Sequence, residues 1–369
     1  MKNTILAIFL ASLALAVNAQ EQKADSITPR PTKWYDNFKL SGYGMLQYQF
    51  EDKEGGSHNE FNLRLMRLIL DGKIKDFNWR VQLQGTSNKG PGESTVSLMD
   101  LYVEWAKYKE ARIKVGEFKR AFTFENHTHP ITQGWYSYAN VINALSGLGD
   151  RTGEPSSGGR DIGLMVQGDL FPMDDGRRFL HYQIGVYNGE GINWKDQDKR
   201  KDIIGGLWVV PFDGFRIGGF GWTGSRGGMT DPVSGEKVSI KKNRFAVSAE
   251  YDKNEYTFRA EYLYSYGWGA ERVGSKTIDY SKGKKADGWY VFGIVPVIKS
   301  KLHAKARYQT YRDNRKWNRS KTMYEVGLNY YFHKNLQLNV EYARVNDRTI
   351  ADPDKHNYNF FDAELDFRF

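Results

Sequence analysis

The last ten residues constrain this chain more than any other stretch. Phe360 to Phe369 read Phe-Phe-Asp-Ala-Glu-Leu-Asp-Phe-Arg-Phe, apolar on one parity and charged on the other. Successive side chains of a strand point to opposite sides. Phe361, Ala363, Leu365, Phe367 and Phe369 would therefore share one face, and Asp362, Glu364, Asp366 and Arg368 the other. A soluble edge strand also alternates, but it has little reason to stop on an outward-facing Phe. Lipid outside and water inside supply that reason, so the pattern reads as the closing strand of an outer-membrane β-barrel.

The other end of the chain fits export. Lys2 precedes an apolar run from Ile5 to Val17, and Val17-Asn18-Ala19 precedes Gln20. The run is shorter than the roughly twenty residues a membrane helix needs, and the small residues suit cleavage after Ala19. A secretory signal peptide is expected over residues 1–19. Residues 20–37 are polar, aperiodic and carry Pro29 and Pro31, which predicts a periplasmic linker, with one barrel over 38–369. There is no Cys, so lipoprotein anchoring, disulfides and thiolate metal sites are excluded. Mean hydropathy is −0.64 and no long apolar run follows Ala19, which excludes a bundle of membrane helices. A barrel needs no such run, because only every second strand residue meets lipid. A secreted glycan-binding β-protein would share the 15% aromatic content and the 38 Gly, so the choice falls to the rhythm of the chain.

That rhythm predicts about sixteen strands of an all-β, up-and-down antiparallel transmembrane barrel, joined alternately by short and long connections. The short ones include Lys75-Asp76, Lys107 to Ala111, Pro172 to Gly176, Pro211 to Gly214, Asp252 to Glu255, Lys299 to Lys301 and His333 to Asn335. The long ones are Glu51 to Asn59, Thr86 to Thr95, Arg120 to Gly159, Gly189 to Lys201, Thr223 to Lys242, Gly267 to Asp287, Arg312 to Ser320 and Asp347 to Asn357. Alternation is clean in Tyr324 to Phe332, Leu336 to Tyr342, Tyr256 to Tyr262 and Leu302 to Gln309. It fails in Ile203 to Phe212 and Trp289 to Ile298, which are apolar on both parities, and at Arg64 to Arg67. Such lapses predict a bulge or a cover folded in from the lumen.

The segments Arg112-Ile113-Lys114-Val115-Gly116-Glu117-Phe118-Lys119 with Ala121-Phe122, Arg160-Asp161-Ile162-Gly163 with Gly168, and Gly327-Leu328-Asn329-Tyr330-Tyr331 on to Tyr342 resemble those of the phosphate-selective porins O and P. The resemblance spans nearly the whole chain after the expected signal. It implies a bacterial outer-membrane channel, usually trimeric, that passes anions without energy input. It also implies that the loop after the fifth strand, here Arg120 to Gly159, folds into the lumen as the constriction.

Charge bears on selectivity, because fixed cations at the narrowest point of a pore attract anions. On trusted parities Lys39, Arg80, Arg112, Lys114, Arg244, Arg259, Lys305 and Arg307 face inward. So do Asp100, Glu104, Asp161, Asp169, Glu250, Glu261, Glu325, Glu341, Asp362, Glu364 and Asp366. This lumen is not strongly cationic, and the opposed charges could pair across strands and only knit the wall. The anion path is placed on Arg80, Arg112, Lys114, Arg120, Arg151 and Arg160, with Arg244, Arg259, Lys305 and Arg307 as further lining. The net charge of +9 lies largely in loops, where Arg312, Arg315, Lys316, Arg319 and Lys321 suit the phosphates of lipopolysaccharide. Nucleic acid is not an expected partner of an exported chain without a basic, aromatic-lined stripe.

Three other readings compete with this one. A general, non-selective porin shares every strand feature. An enzymatic barrel would need a nucleophile or a metal. No Gly-x-Ser-x-Gly elbow occurs, no cofactor is implied, and His127-Thr128-His129 reads as polar loop lining the lumen more than as a metal pair. A surface receptor could use Trp135, Tyr136, Tyr138, Trp194, Trp268 and Trp317, though membrane girdles and loop packing claim most of these rings. Trp135 to Tyr138 would form an apolar wall in the constriction if the long loop folds inward.

Overall fold

The computed structural model describes residues 38–54, 59–86, 95–155 and 158–369. The expected signal peptide and linker lie outside these described residues. Twenty strands follow one another: β1 (Phe38–Glu51), β2 (Asn59–Ile74), β3 (Phe77–Gly85), β4 (Val96–Trp105), β5 (Arg112–Lys119), β6 (Arg160–Pro172), β7 (Arg178–Tyr187), β8 (Asp202–Phe212), β9 (Phe215–Thr223), β10 (Ser225–Thr230), β11 (Lys237–Lys241), β12 (Asn243–Lys253), β13 (Tyr256–Tyr266), β14 (Gly269–Ala270), β15 (Ile278–Asp279), β16 (Lys285–Ile298), β17 (Leu302–Arg312), β18 (Ser320–His333), β19 (Leu336–Asp347) and β20 (Asn357–Arg368). Sixteen of them close an antiparallel barrel in which each pairs with its sequence neighbours, while β10–β11 and β14–β15 form two small separate sheets.

The terminal pattern does what its alternation predicts. β20 pairs with β1 from Tyr43↔Arg368 to Glu51↔Phe360 and seals the barrel. Phe369 extends the seam, exchanging two 3.0 Å backbone hydrogen bonds with Gly42. Phe367 and Phe369 lie exposed on the outer face while Asp362, Glu364 and Asp366 are buried on the inner one. The tight turns use backbone suited to two-residue hairpins: Asn254 and Glu255 both have positive φ, 55° and 71°.

Each lapse in alternation has a structural cause. The β1–β2 register shifts between Met45 and Leu46, opposite Leu63 and Leu65, so Arg64 is the extra residue of a bulge. β8 and β16, apolar on both parities, lie under the long β5–β6 connection. That connection carries three short helices, α1 (Phe124–His127), α2 (Pro130–Gln133) and α3 (Asn140–Leu145). It folds into the lumen and builds a dry core there from Phe122, Phe124, Trp135, Val141, Ile142 and Leu145 against Ile204, Phe220, Trp222, Leu263, Tyr290, Phe292 and Ile294 of the wall. Full burial of each large apolar side chain is worth roughly 1.5–3 kcal/mol, which is why these strands cannot be polar on their inner face.

Residues 223–242, a polar loop by sequence pattern, hold the β10–β11 hairpin instead. With residues of β14 and β15 it encloses a small core of its own, Met229, Ile240, Ala270 and Ile278, at the long-loop end of the barrel.

Candidate functional site

The lumen loop begins with a steric device. Gly116 of β5 sits at φ +130°, and a Cβ there would lie 2.1 Å from the Leu101 carbonyl oxygen. It pairs with Gly163, where a Cβ would lie 2.4 Å from the Val186 oxygen. The two facing glycines admit this close backbone approach just before the β5–β6 ladder ends at Lys119↔Arg160, where the loop departs. Beyond them Lys119 donates to the Asn126 and Thr128 carbonyls, the latter at 2.8 Å, and so ties the end of β5 to α1.

Wall side chains then pin the loop through its backbone. Glu261 accepts from Phe124 N at 2.7 Å and Glu125 N at 3.0 Å; Glu341 accepts from Tyr136 N at 2.8 Å, and Gln309 from Asn140 N at 2.6 Å. Lys305 donates to the Gly134 carbonyl at 2.7 Å, Arg307 to that of Ser137 at 2.9 Å, and Arg244 to that of Leu145 at 2.7 Å. Trp135 is fully buried beneath the charges of Lys305 and Arg307, 4.9 and 4.5 Å from its ring centre, so it packs in the core under the loop and lines neither lumen cavity.

Between the loop and β3–β6 lies a cavity of about 150 Å³, lined by Arg80, Asp100, Tyr102, Lys114, Phe118, Lys119, His127, His129, Arg160, Met165 and Gln167. That is space for about five water molecules. Arg80 holds Asp71 at 2.7 Å, Arg160 holds Asp100 at 2.7 Å, and Lys114 stands 3.5 Å from Glu104. Among the described residues Lys119 has only neutral oxygens as hydrogen-bond partners. Behind the cavity Arg67 gives Nε and Nη2 to the Gln84 amide oxygen, and its Nη1 has no acceptor among the described residues. Five cations thus stand against three carboxylates. The His129 ring is pushed down to about 3, by burial first and then by Lys119, Arg67, Arg80 and Arg160. His127 is exposed to the lumen, and its Nδ1 donates to the Thr123 carbonyl at 2.9 Å, leaving Nε2 as an acceptor. Among the described residues, Lys114 and the Nη1 of Arg80 thus keep charged donors available at the cavity, beside the Tyr102 hydroxyl and the His129 ring.

A second lumen cavity, about 360 Å³, shares His127 and lies on the β9, β12 and β13 side. There Glu250 bridges Arg216, at 2.6 Å, and Arg259. With Asp252 also on its wall, this cavity carries no excess of either sign.

The ten residues singled out from sequence fall into three groups. Arg80, Lys114 and Arg160 meet at the first cavity, and Arg259 lines the second. Arg112 is partly exposed and paired with Asp169 at 2.6 Å, which His181 shares. The remaining five are buried, with their charges satisfied inside the protein, which removes them from any anion's path. Arg120 holds Glu154 and Asp161 at 2.7 and 2.9 Å, and Arg244 holds Asp150 at 2.6 Å. Arg151 donates to the carbonyls of Gly267, Lys282 and Asp313, Lys305 pairs with Glu341 at 2.5 Å, and Arg307 with Glu325 at 2.6 Å. Burial opposes charge on Asp150, but Arg244 and the Thr152 N–H hold its carboxyl below the usual range. Sequence reasoning missed Lys119 and Arg67. Their common feature is the lack of a carboxylate partner, which no single segment displays.

Residues 40–260 match the sequence model of phosphate-selective porins O and P, and residues 191–349 match that of Gram-negative porins. Outer membrane porin C of Salmonella typhimurium is 24% identical over 341 residues, covering 83% of this chain and 85% of that protein. Among solved structures, an anion-selective porin from Comamonas acidovorans superposes with a TM-score of 0.66 at 10% identity, covering 90% of this chain and 99% of that one. Salmonella typhi OmpF in complex with daunomycin gives 0.62 at 14%, covering 90% and 98%. At these identities the structural likeness speaks for the fold alone.

Proposed function

The chain belongs to the phosphate-selective porins O and P of the Gram-negative outer membrane, and from that premise we propose that it passes small hydrophilic anions, such as phosphate or pyrophosphate, by passive diffusion. The observation that carries this reading is the excess of cations around the cavity beneath the lumen loop. Lys119 and Arg67, which have no carboxylate at ion-pair distance among the described residues, supply a standing positive potential there. Lys114 and Arg80 keep donors free to replace part of an anion's water, and the paired carboxylates Asp71, Asp100 and Glu104 keep the attraction from becoming a trap. No bond is made or broken, and we read the protein as a channel and not an enzyme. The same reading takes residues 1–19 as a signal peptide and 20–37 as a periplasmic linker, and the assembly as a homotrimer in contact with lipopolysaccharide.

A non-selective porin is the second reading, supported by the pairing of nearly every other lumen cation with a carboxylate. Zero-current potential across a planar bilayer under a KCl gradient separates the two. A potential on the chloride side, with partial block on adding phosphate, supports the anion pore. A potential near zero without block leaves the non-selective porin.

A further inference from the structure

Four of the five basic residues around the β17–β18 loop, all but Lys316, hold carboxylates of the protein in place of the outside ligand that the sequence suggests. Arg312 and Arg315 both hold Asp287, at 2.6 and 3.3 Å, Arg319 stands 3.5 Å from Asp313, and Lys321 lies 4.0 Å from Asp347. Two cations elsewhere on the same rim are differently placed. Arg344 of β19 lies on the outward parity of a membrane strand, in register with Tyr324 on one side and Asn359 on the other. It is exposed, and its Nη1 donates to Asn359 Oδ1 at 2.9 Å, an oxygen that also accepts from the Tyr342 hydroxyl at 2.7 Å. One outward row nearer the loops, Asn346 Nδ2 donates to Asn357 Oδ1 at 2.8 Å. Arg348, in the turn above, is exposed and donates to Asn346 Oδ1 at 3.1 Å. Among the described residues neither guanidinium has a carboxylate at ion-pair distance; Asp52 is drawn into the row through Asn359, whose Nδ2 it accepts at 2.6 Å.

Below this polar row the outward surface is apolar and aromatic. The register carries Val326, Tyr342, Phe361 and Phe50 in one line, then Leu328, Val340 and Ala363. Tyr324 is 59% exposed and Tyr342 45%. Arginine is costly on a face that meets acyl chains unless it stands at the headgroup level with an anion to hold. From loop to membrane this face carries Arg348, the Asn346–Asn357 pair, Arg344 beside Asn359, and then Tyr342, with neither guanidinium in an ion pair among the described residues; that order matches one kind of molecule, a lipid with acyl chains below and a phosphorylated sugar above.

We propose that the outward face of β18–β20 is a binding site for a phosphorylated glycolipid of the outer leaflet, with Arg344 and Arg348 taking its phosphate and Asn346, Asn357 and Asn359 its sugar hydroxyls. The site rests on the outer-membrane location and is independent of the anion reading of the lumen, because these side chains face away from it.

The test uses the refolded full chain in detergent, with thermal unfolding read against added diphosphoryl lipid A, the same lipid dephosphorylated, and inorganic phosphate. Only the diphosphoryl lipid should raise the melting temperature. The Arg344→Gln/Arg348→Gln variant should lose at least about tenfold in apparent affinity with channel conductance unchanged, whereas Arg344→Lys/Arg348→Lys keeps most of it. An Arg315→Gln/Lys316→Gln variant, at the mouth, should bind as the parent does. An equal shift with the dephosphorylated lipid or with inorganic phosphate, undiminished affinity in the first variant, or an equal loss in the mouth variant would overturn the site.

Discussion

Replacing Arg307 by alanine tests how the lumen loop is held. Arg307 makes a two-pronged pair with Glu325, 2.6 and 2.7 Å, in which neither side chain is exposed, donates to the Ser137 carbonyl and covers Trp135. Its removal leaves Glu325 buried with Gln309, at 2.8 Å, as its remaining partner. Stranding a buried charge in this way costs about 3–5 kcal/mol. The loop itself loses a charge-assisted hydrogen bond and a cation–π contact, together about 2–4 kcal/mol of its attachment. Urea unfolding in lipid vesicles should show the first loss, and single-channel recording should show the second as raised or noisier conductance. A double variant, Arg307→Met with Glu325→Met, separates them. Removing both charges should restore most of the stability, but not the tie to Ser137, so its conductance should stay altered. A single variant that loses less than about 1 kcal/mol, or a double variant no more stable than the single one, would refute the reasoning.

Three further outcomes follow from the same geometry. Gly116→Ala should impair assembly, with a cost on the order of 2–4 kcal/mol from a left-handed backbone and a Cβ against the Leu101 carbonyl, read as loss of the folded band on unheated gels. The pH dependence has a definite sign. His129 stays neutral when folded, its pKa near 3, while the unfolded chain takes up a proton below about 6.5, so this residue's contribution falls as pH drops through that window. At pH 5 the loss is about 2 kcal/mol, and a His129→Asn barrel should show a flatter stability profile between pH 7 and 5. Glu190, pushed up to about 7 mainly by burial, works the opposite way. Its folded form holds a proton that the unfolded chain gives up above about 4.5, so Glu190→Gln should flatten a decline in stability as pH rises from 4.5 through 7.

Much of the barrel is legible in the chain because a membrane strand writes its two environments on alternate residues. β20, β19 and β13 could be placed by parity, and the connections between strands by their length. The apolar inner faces of β8 and β16 even announced a cover. What parity cannot say is whether an inward residue meets water or the loop. Lys305 and Arg307 were placed inward, yet their neighbours are Gly134, Ser137 and Trp135, some 170 residues earlier in the chain. The β10–β11 hairpin was hidden for another reason. Ser225 to Thr230 holds two adjacent glycines and one buried apolar residue, Met229, too little pattern for a strand rule to find. Lys119 and Arg67 were overlooked because an unpaired cation is defined by absent neighbours across β2 to β6, a property of the closed barrel and not of any segment.

The central claim is that unpaired charge beside the loop, and not the total of lumen arginines, sets selectivity. Zero-current potentials of Lys119→Gln and Arg112→Gln barrels, measured under the same KCl gradient as the parent, test it most directly. Arg112 faces the lumen with Asp169 as its partner, so its loss should leave most of the chloride preference in place. Loss of Lys119 should move the potential toward zero and weaken block by phosphate. Equal shifts in the two variants, or a parent-like potential in Lys119→Gln, would contradict it.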